Sequence, residues 1–112
     1  MNDISDTSDF RPVARSQDIP DDFVVPLYVG DRKLRISIAR VNGFPYAFTD
    51  LCTCSEQACP LSGGRLEGSI IMCQCHGSRF DVTDGTVVSG PAVTNLTVFE
   101  VREHSDQVYV RL

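Results

Sequence analysis

"MCQCHGSRFD", residues 72–81, and "LCTCSEQACPLSGG", residues 51–64, together hold all five cysteines of the chain and one of its two histidines. Cys52 and Cys54 are separated by one residue, Cys73 and His76 by two, and eighteen residues lie between Cys54 and Cys73. Two short ligand pairs divided by a longer stretch form the general pattern of a tetrahedral metal centre or a small iron–sulfur cluster. Zinc ribbons usually carry C-x₂-C in both halves, and the C-x-C of the first segment fits that pattern poorly without excluding it.

Outward from these segments the chain is punctuated like an all-β protein. Leu34, Ile36 and Ile38 alternate with Arg35, Ser37 and Ala39, the period of two expected of a half-buried strand over 34–41. Asn42-Gly43 follows as a two-residue hairpin signal and leads into a strand over 44–50. Residues 23–29, 69–73, 79–82, 86–89, 95–103 and 107–112 read as further short strands, with turns at Asp84-Gly85, Gly90-Pro91 and His104-Ser105-Asp106. Residues 10–15 suit an edge strand, since Pro12 donates no hydrogen bond. No segment has a helical period of useful length, and there is no internal repeat. Both cysteine segments therefore fall on loops between strands, where rigid strands aim side chains at a common point. Gly63, Gly64 and Gly68 let the backbone pass close to what lies between the loops.

The totals bound the function. The chain has 112 residues, enough for one domain with a modest core that a metal or disulfide would brace appreciably. Residues 1–9 hold three aspartates and read as a flexible acidic tail, leaving 10–112 as the domain. The net charge of −5 argues against nucleic acid and suits docking onto a positively charged protein surface. The first ten residues lack the basic and apolar regions of a secretory signal, and no apolar run could span a bilayer. A soluble, cytoplasmic monomer without a membrane or nucleic-acid partner is the expectation. In that compartment clustered cysteines act as metal ligands or redox groups more often than as structural disulfides.

The motif "CHGSRFD" with "PLSGG", the "CT" opening of the first loop, the Asp84-Gly85 turn and "GPA" at 90–92 resembles the Rieske-type [2Fe–2S] domain over nearly the whole chain. The resemblance implies a Rieske-type antiparallel β-sandwich with two cluster-binding loops. It implies Cys52 and Cys73 as thiolate ligands of one iron and His76 as an imidazole ligand of the other. The fourth family position carries histidine, and here it is Cys54, giving a three-cysteine, one-histidine set. The respiratory branch of the family further implies a disulfide between Cys59 and Cys75; two buried reduced thiols are the alternative. By the same resemblance Ser78 donates a hydrogen bond to a bridging sulfide. Phe80 stands where high-potential members have a tyrosine. Pro60 and Leu61 in the first loop, with Gly90-Pro91 in the Pro loop, would by the same resemblance screen the cluster from water. His104, in a polar hairpin, is expected at the surface and away from the site.

A thiolate in place of a neutral imidazole adds negative charge to the centre, so its potential should fall. The bracket runs from roughly −150 to +300 mV for two-histidine centres to about −400 mV for four-cysteine ones. No Ser–His–Asp pattern, paired carboxylates or phosphate-cradling loop appears, so a catalytic role is not expected. The leading expectation is a one-electron carrier between a reductase and an oxygenase. A small subunit or regulatory module of a larger oxidoreductase is one alternative. A structural zinc or thiol-redox protein using Cys52, Cys54, Cys73 and His76 is another.

Overall fold

The computed structural model describes residues 10–53 and 59–112. The proposed tail at 1–9 and Cys54 both lie outside the described residues.

Eleven strands are present among the described residues: β1 (Phe10–Arg15), β2 (Val24–Val29), β3 (Leu34–Val41), β4 (Phe44–Thr49), β5 (Arg65–Glu67), β6 (Ile70–Met72), β7 (Arg79–Asp81), β8 (Val87–Ser89), β9 (Val98–Phe99), β10 (Val101–His104) and β11 (Gln107–Arg111). Only three-residue 3₁₀ turns interrupt them, and none of these helices is long and apolar enough to cross a membrane. The strands form three sheets, ordered β1-β11-β10, β2-β3-β4-β9 and β5-β6-β7-β8, with every pairing antiparallel. β1 lies at the edge of its sheet, where the missing N–H of Pro12 is tolerated. Asn42 and Gly43 both take positive φ, 52° and 85°, and the β3–β4 hairpin closes on them as a type I′ turn requires.

The expectation of a half-buried strand over 34–41 is corrected at its centre. Ile36, Ser37, Ile38 and Ala39 are all fully buried, because β3 is covered on both faces. Ile36 and Ile38 enter a core with Ile19, Ala47, Val108 and Val110, against the β1-β11-β10 sheet. Ala39 and Val41, on the opposite face, enter a second core with Phe48, Ile71, Phe80 and Val82. Side chains alternate across a strand, so a single strand feeds two cores when a layer packs on each side. The second core also contains Cys52, Cys59, Leu61, Cys73 and Ala92, so the cysteine loops are built onto apolar packing.

Two further details differ from the strand reading. The stretch 95–103 divides into β9 and β10, which join different sheets. β5, three residues long, carries too short a pattern to announce itself and exists through its pairing with β6.

Candidate metal centre

The first loop leaves β4 at Asp50 and is closed at its base by backbone. Leu61 N donates to Asp50 O at 2.6 Å, Leu51 and Pro60 form an isolated bridge, and Cys52 N donates to Cys59 O at 2.9 Å. This short ladder joins both ends of the loop. The Asp50 side chain completes the anchor. Its Oδ1 accepts from Ser37 Oγ at 2.6 Å and from Ser62 N at 2.8 Å; its Oδ2 accepts from Arg35 Nε at 2.5 Å and from Ser62 Oγ at 3.1 Å. Asp50 and Ser37 are fully buried, while the Arg35 side chain is 47% exposed. Burying a carboxylate is tolerable only with such saturation of its lone pairs.

The second loop leaves β6 at Met72 and is a tight turn. Gly77 N donates to Cys73 O at 3.0 Å, Cys73 N donates to Ser78 O at 2.8 Å, and Gly77 takes φ 78° to close it. The two loops approach through Gly64, where a Cβ would collide with the carbonyl oxygen of Met72. The Pro loop covers them from a third side. Ala92 N donates to Ser78 Oγ at 2.9 Å, and Thr53 Oγ1 donates to Thr94 O at 2.5 Å, which ties the first loop to the Pro loop.

The structure sorts the four described cysteines into two kinds. Cys59 and Cys75 form a disulfide across the two loops. Cys52 and Cys73 are outside any disulfide and are buried, 5% and 1% exposed. His76, at the tip of the second loop, is exposed. The sulfurs that the structure brings within 4.8 Å of one another are those of Cys59, Cys73 and Cys75; Cys52 and His76 are not in that group, and with Cys73 they supply the soft sulfur–nitrogen donor chemistry that an iron–sulfur centre takes. The residues present therefore fit such a group.

Of the surrounding residues anticipated from sequence, Ser78 is fully buried, and its Oγ serves as acceptor for Ala92 N, so its hydroxyl hydrogen is left to donate. Phe80 is a core aromatic with no exposed surface. Leu61 is likewise buried, Pro60 is half-buried and Pro91 is exposed, so the apolar screen on the Pro-loop side comes from Ala92. His104 ends β10, in the β1-β11-β10 sheet, and is exposed, whereas His76 lies in the loop between β6 and β7. Sequence reasoning overlooked the Asp50 anchor and the Thr53–Thr94 link. The signal for the first was a serine in the middle of an apolar strand, Ser37, and an aspartate two residues before the first cysteine.

A family model described as the Rieske [2Fe-2S] domain matches residues 9–100. The chain is 39% identical over 75 residues to ferredoxin CarAc of Metapseudomonas resinovorans, covering 67% of this chain and 68% of that one. It is 31% identical over 106 residues to the ferredoxin component of the naphthalene 1,2-dioxygenase/salicylate 5-hydroxylase systems of a Ralstonia species, covering 95% of this chain and 98% of the relative. Among solved structures, it superposes with TM-score 0.82 and 29% identity on a chain from the complex of reduced oxygenase and oxidized ferredoxin in carbazole 1,9a-dioxygenase, covering 92% and 93% of the two chains.

Proposed function

Because the chain belongs to the Rieske [2Fe-2S] domain family, we propose that it is a soluble, cytoplasmic ferredoxin that takes one electron from a reductase and passes it to an oxygenase. The observation that carries this reading is the partition of the cysteines: two buried thiols, Cys52 and Cys73, take no part in the Cys59–Cys75 disulfide, and an exposed His76 follows on the second loop. The relatives named as ferredoxin components of dioxygenase systems support it, as does the structural likeness to a chain of an oxygenase–ferredoxin complex.

In this reading Cys52, Cys73, His76 and Cys54 hold a [2Fe–2S] cluster, with Cys54 in the family's histidine position. When bound, the cluster supplies a one-electron couple. The residues around it set how that couple behaves. Cys52 and Cys73 sit in the apolar core, which excludes water from the thiolate side. Ser78 accepts from the Ala92 amide and keeps its hydroxyl hydrogen, which would raise the cluster potential if donated to a cluster sulfur. Phe80 offers no such donor. His76 provides the exposed edge through which an electron leaves toward a partner. The net charge of −5 favours encounter with partners that present basic docking surfaces.

Low-temperature EPR of the purified protein after chemical reduction tests the proposal. A rhombic [2Fe–2S] signal between the two-histidine and four-cysteine types is the expected result. No signal, with zinc or no metal in the sample, would overturn it in favour of a zinc or thiol-redox protein.

A further inference from the structure

A third sulfur leans on the disulfide. Cys73 Sγ lies 3.6 Å from Cys59 Sγ, and the Sγ atoms of Cys59, Cys73 and Cys75 all fall within 4.8 Å of one another. Metal–thiolate bonds of about 2.3 Å in tetrahedral geometry place the sulfurs on one ion about 3.8 Å apart. The Cys59–Cys73 separation is thus already that of two ligands sharing an ion. Cys59 and Cys73 are buried, whereas Cys75 is exposed, so the group of sulfurs opens to solvent on the Cys75 side. Cys59 is fixed by the Cys52 N–Cys59 O bond, and Cys73 and Cys75 lie within the single turn closed by Gly77 N and Cys73 O.

The disulfide withholds two of these sulfurs. A dithiol reductant returns them: the Cys59–Cys75 bond takes two electrons and two protons, giving two thiols, while the dithiol becomes a disulfide. We propose that Cys59, Cys73 and Cys75, in the cluster-free chain with the bridge reduced, form a three-thiolate site for one copper(I) ion. The donor set is all sulfur, which selects soft ions such as copper(I) over the hard cations. Each coordinating thiol gives up its proton, so binding releases protons to solvent. Because Cys73 is shared, copper at this site and a cluster on Cys52 and Cys73 exclude each other. The reduced, cluster-free chain is then a form that copper captures and withholds from cluster assembly.

The full-length chain, freed of cluster and reduced with a dithiol that is then removed anaerobically, is titrated with copper(I) against a chromophoric copper(I) chelator. One ion per chain is expected, with affinity weakened at least about tenfold by Cys75→Ser. Cys75 is exposed, so this variant leaves the core packing intact, and circular dichroism checks that it does. Cys52→Ser should leave copper affinity unchanged. Undiminished affinity in Cys75→Ser, or a tenfold loss in Cys52→Ser, overturns the assignment and moves copper to the cluster ligands. The iron-loaded Cys75→Ser protein should still give the [2Fe–2S] EPR signal, so a failure of the cluster reading registers separately from a failure of the copper site.

Discussion

Ser37 Oγ donates to Asp50 Oδ1 at 2.6 Å, with both side chains fully buried, and this bond joins the middle of β3 to the root of the first cysteine loop. The carboxylate reaches onward to Ser62 on the loop's far side, so one side chain spans the loop's two ends.

Removing that carboxylate should loosen the loop base as a unit. Asp50→Ala leaves the Ser37 hydroxyl and the Ser62 amide without their acceptor, and buried groups so orphaned cost about 1–3 kcal/mol each. A loss of roughly 2–4 kcal/mol is expected in urea denaturation. Arg35→Ala should cost less, about 1–2 kcal/mol: it removes one donor from the buried carboxylate, but the Arg35 side chain is half exposed and the bonds from Ser37 and Ser62 remain. Comparable losses for the two variants would mean that the ion pair, and not the buried hydrogen bonds, anchors the loop.

The Cys59–Cys75 bridge closes a segment with a sequence separation of 16. Cross-links over loops of this length stabilise by about 3 kcal/mol, chiefly through the unfolded chain. Denaturation with and without a dithiol should differ by that amount in the wild type and by nothing in Cys75→Ser. An unchanged midpoint on reduction would show that the cluster and core brace the loops unaided.

Cys54→His would exchange a thiolate for a neutral imidazole at the proposed fourth ligand. Electrons then enter a less negative centre, and the potential should rise into the two-histidine range of roughly −150 to +300 mV. A second ionisable ring nitrogen would also strengthen its dependence on pH. Voltammetry across a pH series checks both effects, and a potential that did not move would remove Cys54 from the ligand set.

Arg40 and Glu103 join two sheets through paired bonds, Arg40 Nη1 to Glu103 Oε1 at 3.0 Å and Arg40 Nη2 to Glu103 Oε2 at 2.6 Å. The guanidinium holds the Glu103 carboxyl below its ordinary value and is itself raised. A depressed carboxyl contributes stability that is full above the unfolded value of 4.5 and is lost as pH falls through the folded value. The raised arginine is lost only in strong alkali. Wild type should therefore exceed Glu103→Gln by about 1 kcal/mol at neutral pH, with the gap closing below pH 4.5. A gap that persisted through acid titration would assign the difference to packing.

Much of this protein was legible in its sequence because the signals were local. Asn42-Gly43 demanded a hairpin, the alternation from Leu34 to Ile38 demanded a strand, and "CHGSRFD" carried the family. Such features depend on steric limits and periodicities that act within a few residues. The sequence alone determined an all-β chain with two cysteine loops. What only the tertiary structure decided was how those loops are held. The two-sided burial of β3, the reach of Asp50 from Ser37 to Ser62, the Thr53–Thr94 link and the contact of Cys73 with the Cys59–Cys75 bridge all join residues distant in the chain. Alternation tells which residues share a face, but not whether one layer or two will cover the strand. That depends on sheets packing against each other, and the buried polar bonds form where the packing leaves them no water.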